Sequence, residues 1–133
     1  KKGKTITINR LSGFITYLLI YKNIISIGCI MINANLLKNY KFDPYFEILG
    51  DYELWLRLSL KYKFKNAQAI LQYYRIHSNN LTKRKQDLLN KERRYLYTKL
   101  FREFNIKYYP HIIYMALRYE IKGFLVFIKN LIY

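Results

Sequence analysis

One segment limits what this chain can fold into: residues 50–58, GDYELWLRL, which run on into KYKF. Leu54, Trp55, Leu58 and Tyr62 fall on one stripe at helical spacing. The pattern predicts a helix over residues 51–62 whose apolar face has to be buried by other elements. Asp51 opens it, where a carboxylate can accept from the free N–H groups of a helix start.

Candidates for the covering elements follow from the same reasoning. Residues 11–22 (LSGFITYLLIYK) place Leu11, Phe14, Ile15, Leu18 and Leu19 at helical spacing, with Ser12 as a cap and Asn23 as a stop. Residues 25–32 (ISIGCIMI) form a short β-branched run of the kind found in buried strands. Residues 33–40 read as a short helix capped by Asn33 or Asn35, and Phe42-Asp43-Pro44 as a turn. A second strand is predicted over residues 69–76, then a charged helix over 82–104 and a last helix over 111–132, separated by Asn105 and Pro110. The order is that of an α/β fragment with two short strands and a helical tail. Two strands do not make a stable sheet alone, and the chain opens on Lys1 rather than Met. The expectation is therefore that this chain continues something longer.

Composition narrows the function classes. The formal net charge of +16 invites a nucleic-acid reading. The charge is spread evenly, however: residues 1–82 and residues 83–133 each carry twelve basic and four acidic side chains. A nucleic-acid module concentrates its charge on one face or arm. Lys, Asn, Ile and Tyr also share A/T-rich codons, so codon bias is a competing source of the lysine count. Anionic lipid or phosphorylated substrates suit the sign equally well. The lone Cys29 excludes an internal disulfide framework and suits a reducing, cytoplasmic setting. No window reaches the eighteen uncharged apolar residues of a membrane span; the late run 123–128 is closed by Lys122 and Lys129.

Asp51 and His77 carry the chemistry. A carboxylate can serve as a general base, and an imidazole can ligate a divalent ion or, protonated, pair with phosphate. Transfer from an activated sugar needs both functions. Each residue also has a plainer reading: Asp51 as a helix cap, and His77 as a surface histidine at a strand end. Arg75 can neutralise a diphosphate or hold Asp51, while Arg57 packs its stem and pairs with an acidic neighbour. Trp55 is either core or a platform for a sugar ring. His111 has no such context.

With these residues in view, the chain resembles the second half of family 2 glycosyltransferases, inverting enzymes built on the GT-A nucleotide-sugar fold. The resemblance covers residues 23–82 and rests on GCIMINANLLKNY, FDPYF, GDYELWLRL and YYRIHSNN in that order. It implies Asp51 as catalytic base, facing a cleft whose other wall lies outside this sequence, and His77 as a metal or diphosphate contact. It also implies Trp55 and Arg75 near the substrates, and a divalent cofactor (Mg or Mn) bound mostly by upstream residues. Gly50 departs from the family, which has an acidic residue there, and Glu53 stands where Asp is common. No Asp-x-Asp occurs before Asp51, where the only carboxylates are Asp43 and Glu47.

The implied partners are a nucleotide-sugar donor and a glycan or lipid-linked acceptor, in cell-surface polysaccharide synthesis, with no nucleic acid. Residues 1–82 would form the acceptor-side half of the catalytic domain, inactive without its donor-binding half, and residues 83–133 a helical extension. In the last helix His111, Arg118, Lys122 and Lys129, spaced by seven, four and seven residues, make a polar stripe beside a broad apolar surface. That surface either packs on the domain or lies peripherally at the inner membrane face. The competing class is a non-catalytic basic helical module that binds anionic membrane or nucleic acid.

Overall fold

The computed structural model describes residues 12–73, 75 and 80–132, and for residues 83 and 121–132 the backbone alone. Six α-helices follow one another among these residues: α1 (Thr16–Tyr21), α2 (Leu36–Asn39), α3 (Gly50–Ser59), α4 (Leu81–Arg84), α5 (Gln86–Glu103) and α6 (Tyr109–Ile132). Short 3-10 turns occupy Ile27–Cys29 and Ile106–Tyr108.

The α/β expectation is corrected. Among the described residues there is no sheet, only one antiparallel bridge between Gly13 and Phe64. Both predicted strands fail for want of a partner backbone. The run over residues 25–32 is broken by the turn at Ile27–Cys29. Residues 69–73 follow Gln68, which sits in the left-handed region at φ 53°, and are themselves exposed. The two segments meet through a side chain instead of a ladder: the Gln72 Oε1 accepts from Ser26 Oγ at 2.8 Å and from Cys29 Sγ at 3.3 Å. Gly28 permits this approach, since a Cβ there would lie 2.9 Å from the Gln72 amide.

The helices start and stop for local reasons. Helix α1 begins later than its periodicity predicts because Gly13, at φ 99°, exchanges both backbone hydrogen bonds with Phe64 at 2.7 and 2.9 Å. Ahead of α2, the Asn33 side chain accepts from the Asn35 N–H at 2.9 Å. Asn105 caps the turn into α6 by accepting from the Lys107 N–H at 3.1 Å. Pro110 sits in the first turn of α6, where its missing N–H costs nothing.

A single core joins both halves of the chain. Leu54, Trp55, Leu56 and Leu58 of α3 pack with Leu19 and Ile20 of α1, Leu96 and Leu100 of α5, and Ile112 and Met115 of α6. The core therefore runs across the boundary expected between residues 82 and 83. The described part of α6 packs on α1 and α5, with Ile112 and Met115 buried. No described helix is long and apolar enough to cross a membrane.

Candidate functional site

Helix α3 is held along its length by other elements. Near its start, the Tyr52 hydroxyl donates to the Leu19 carbonyl at 2.5 Å. Midway, the Trp55 indole Nε1–H donates to the Ile25 carbonyl at 3.2 Å, and Arg57 Nη2 donates to the Lys41 carbonyl at 2.7 Å. At its end, the Ser59 carbonyl accepts from Thr16 Oγ1 at 2.8 Å. A side chain carried on α3 is thus fixed by the domain core.

The start of α3 is not capped by Asp51, which corrects the capping expectation. Helix α3 opens at Gly50, and its flanking residue Leu49 has no polar side chain to offer. The loop leading into α3 is held from α5 instead. Glu92, fully buried, accepts from the backbone N–H groups of Glu47 at 2.7 Å, of Ile48 at 3.0 Å and of Leu49 at 2.9 Å. A negative carboxylate suits this position because three consecutive loop donors converge there, beside the positive end of the helix.

A second tie from α5 runs through Lys99. Its ammonium lies 2.7 Å from Asp43 Oδ2 and 2.8 Å from Glu53 Oε1. Burial pulls Lys99 downward, but the hydrogen bonds to Asp43 and Glu53 outweigh it and hold the ammonium above its ordinary pKa. The same hydrogen bond holds the Asp43 carboxyl below the usual aspartate range. Glu53, 1% exposed, also receives Arg57 Nε at 2.5 Å and Nη2 at 2.8 Å. It is an interior anchor with two cationic partners, rather than a residue that merely complements the helix N-terminus.

Asp51 stands outside this network. Among the described residues its side chain accepts from backbone N–H groups, that of Tyr52 at 2.6 Å and its own, and makes no ion pair. Burial pushes its carboxyl above the usual aspartate value, more than the backbone hydrogen bonds lower it. Gly50 beside it is not required by space: a Cβ there would make ordinary contacts with Phe46 at 3.6 Å and Phe42 at 3.8 Å.

The other predicted site residues separate from Asp51. Trp55 is 1% exposed and cannot offer a ring face to a sugar, so the platform expectation is replaced by a core role. Arg75 is exposed and, among the described residues, makes no ion pair with Asp51. His77 lies outside the described residues. His111 bonds through Nδ1 to the Tyr21 hydroxyl and meets the Tyr17 ring edge-on. The described residues do not by themselves fit a divalent ion, since they contain no group of three His, Cys, Asp or Glu side chains able to hold one.

Two of the clefts among the described residues lie away from Asp51. One, of about 300 Å³, lies between α5 and α6 and includes Arg93, Arg94, Tyr97 and Tyr119. The other, of about 380 Å³, includes Tyr17, Lys107 and Tyr108. In the first, the Arg93 guanidinium sits over the Tyr119 ring, 4.1 Å from its centroid, and Arg94 forms two bonds to Glu120 at 2.7 and 2.8 Å.

Reasoning from sequence missed Glu92 and Lys99. The signal was present: Glu92 interrupts the stripe of Leu89, Leu96 and Leu100, and Lys99 follows it by seven residues. A charge at a core position of an amphipathic helix calls for a buried partner. Comparison with protein-family profiles, with curated proteins and with solved structures returned no match to this chain.

Proposed function

We propose that this chain is the base-bearing part of an inverting glycosyltransferase that moves a sugar from a nucleotide donor to a hydroxyl of a glycan or lipid-linked acceptor. One observation carries the reading. Of the five carboxylates gathered around α3, four reach other elements: Asp43 and Glu53 bind Lys99, Glu47 binds Lys85, and Glu92 binds the loop before α3. Among the described residues Asp51 accepts only from backbone amides, that of Tyr52 and its own, and makes no ion pair, and burial raises its proton affinity. An acid carried on a fixed helix, without a described cationic partner and made more basic by burial, suits a general base.

In the transfer step the acceptor hydroxyl donates its proton to the Asp51 carboxylate. The acceptor oxygen bonds to the anomeric carbon from the face opposite the leaving group. The bond from that carbon to the diphosphate oxygen breaks, its electron pair leaves with the nucleoside diphosphate, and the configuration inverts. The raised carboxyl brings the base closer to the pH at which it works. Trp55 and the Glu53–Lys99–Asp43 ties serve this step by keeping α3 in place.

The same reading places the protein peripherally at the inner membrane face, near lipid-linked acceptors. Its support is the outer side of α6, where Ile113, Tyr114 and Leu117 are exposed beside Arg118.

The test is steady-state transfer by the intact gene product, with a panel of nucleotide sugars and a divalent ion. Asp51→Asn is expected to lower kcat by about 10²- to 10⁴-fold with the donor KM unchanged. A wild-type kcat in the folded variant overturns the reading. It leaves the non-catalytic basic module, whose binding to anionic vesicles or DNA would fall steeply with salt.

A further inference from the structure

We propose that Glu92 is a positioning residue for the transfer step: from α5 it holds the loop that carries Asp51 and so sets where the base stands. The inference rests on the reading of Asp51 as the base. Three consecutive backbone donors, at residues 47, 48 and 49, end on the two oxygens of this one carboxylate. Only Gly50 separates the last of them from Asp51. Glu92 is 0% exposed, so its carboxylate depends on these donors rather than on water.

The geometry makes the tie stiff. Two oxygens shared among three donors fix the carboxylate in both distance and rotation. Glu92 lies between Leu89 and Leu96 on the buried side of α5, which the core anchors. Lys99, two turns further along α5, grips Asp43 ahead of the loop and Glu53 behind Asp51. The two contacts bracket the base from one rigid helix. A base displaced by about an ångström loses on the order of a hundredfold in rate, because proton transfer and attack depend on near-attack geometry.

Two substitutions test this in the same transfer assay, alongside Asp51→Asn. Glu92→Gln keeps the shape but places an amide NH₂ against backbone donors. Glu92→Asp keeps the charge and draws the carboxylate back by one methylene. Folding is checked by thermal melting, and rates are referred to folded protein. Both variants are expected to lose roughly tenfold to a hundredfold in kcat, with donor KM unchanged. The acidic limb of their pH–rate profile is expected at lower pH, because a loosened loop exposes Asp51 to water and relieves the burial that raises its carboxyl. A purely structural residue would change the melting temperature and leave both readouts alone. If Glu92→Gln does not fold, Glu92→Asp decides. Wild-type kcat and an unmoved acidic limb in folded Glu92→Asp overturn the positioning role while Asp51→Asn remains inactive. Full activity in Asp51→Asn instead removes the base, and the positioning role with it.

Discussion

The buried carboxylate of Glu92 accepts from the backbone N–H of Leu49 at 2.9 Å across 43 residues of sequence. With its companions at residues 47 and 48 it ties the loop leading into α3 to α5.

Removing that carboxylate leaves three part-buried donors without their partner and leaves a void where Glu92 was buried. Glu92→Ala is expected to cost about 3 kcal/mol or more, an amount typical of breaking a buried charged hydrogen-bond cluster. Urea unfolding followed by circular dichroism measures it. A loss within about 0.5 kcal/mol, ordinary for a surface substitution, would show that the tie carries no weight.

Asp51 is placed at a cost to stability. Its folded-state pKa lies above the unfolded value, so protonation favours the folded state. The resulting contribution is complete below the unfolded pKa and is lost as pH rises through the folded one. Asp51→Asn, which removes the charge, is therefore expected to raise stability at about pH 7 and to gain little at about pH 3, where the carboxyl is already neutral. Urea midpoints at the two pH values check the sign. A variant less stable than wild type at neutral pH would contradict it.

Asp43 shows the opposite sign. Its folded-state pKa is held below the unfolded one by the hydrogen bond from Lys99. The contribution is complete above the unfolded value and disappears as pH falls through the folded one. Replacing Lys99 with Met removes that bond and one of the two cationic partners of Glu53. The variant is expected to be less stable at neutral pH and to show a shallower loss of stability on acidification. Melting temperatures across the acid range read both effects, and an unchanged slope would detach Asp43 from Lys99.

Trp55 is the only tryptophan, which makes its surroundings directly readable. Enclosed in the core with its Nε1–H on the Ile25 carbonyl, it is expected to emit at short wavelength and to resist quenching by iodide. Acceptor glycans are expected to leave its emission unchanged. Quenching relieved by glycan would restore the platform role that its burial removes.

Much of the helical architecture was legible in the residues. The stripe of Leu54, Trp55 and Leu58 marked α3, and the helices near residues 82–104 and 111–132 lie close to their predicted bounds. These signals are local, since helical periodicity needs only neighbours three and four residues away. The strands were misread for the same reason. A β-branched run such as residues 25–32 has strand character, but a ladder needs a second backbone in register, and none of the described segments supplies one. Asp51 could be singled out from its place before the helix. That it makes no ion pair among the described residues could not, because that depends on which lysines are already taken by Glu47 and Asp43 across 38 and 56 residues. The long-range tie from Glu92 to the loop before α3 escaped notice because short-range rules read only neighbouring side chains.

The most direct test is single-turnover transfer with a pre-bound nucleotide sugar, comparing wild type with Asp51→Asn in folded gene product. The account predicts that the variant binds donor as the wild type does and transfers at least about a hundredfold more slowly. Transfer by Asp51→Asn at the wild-type rate would contradict it.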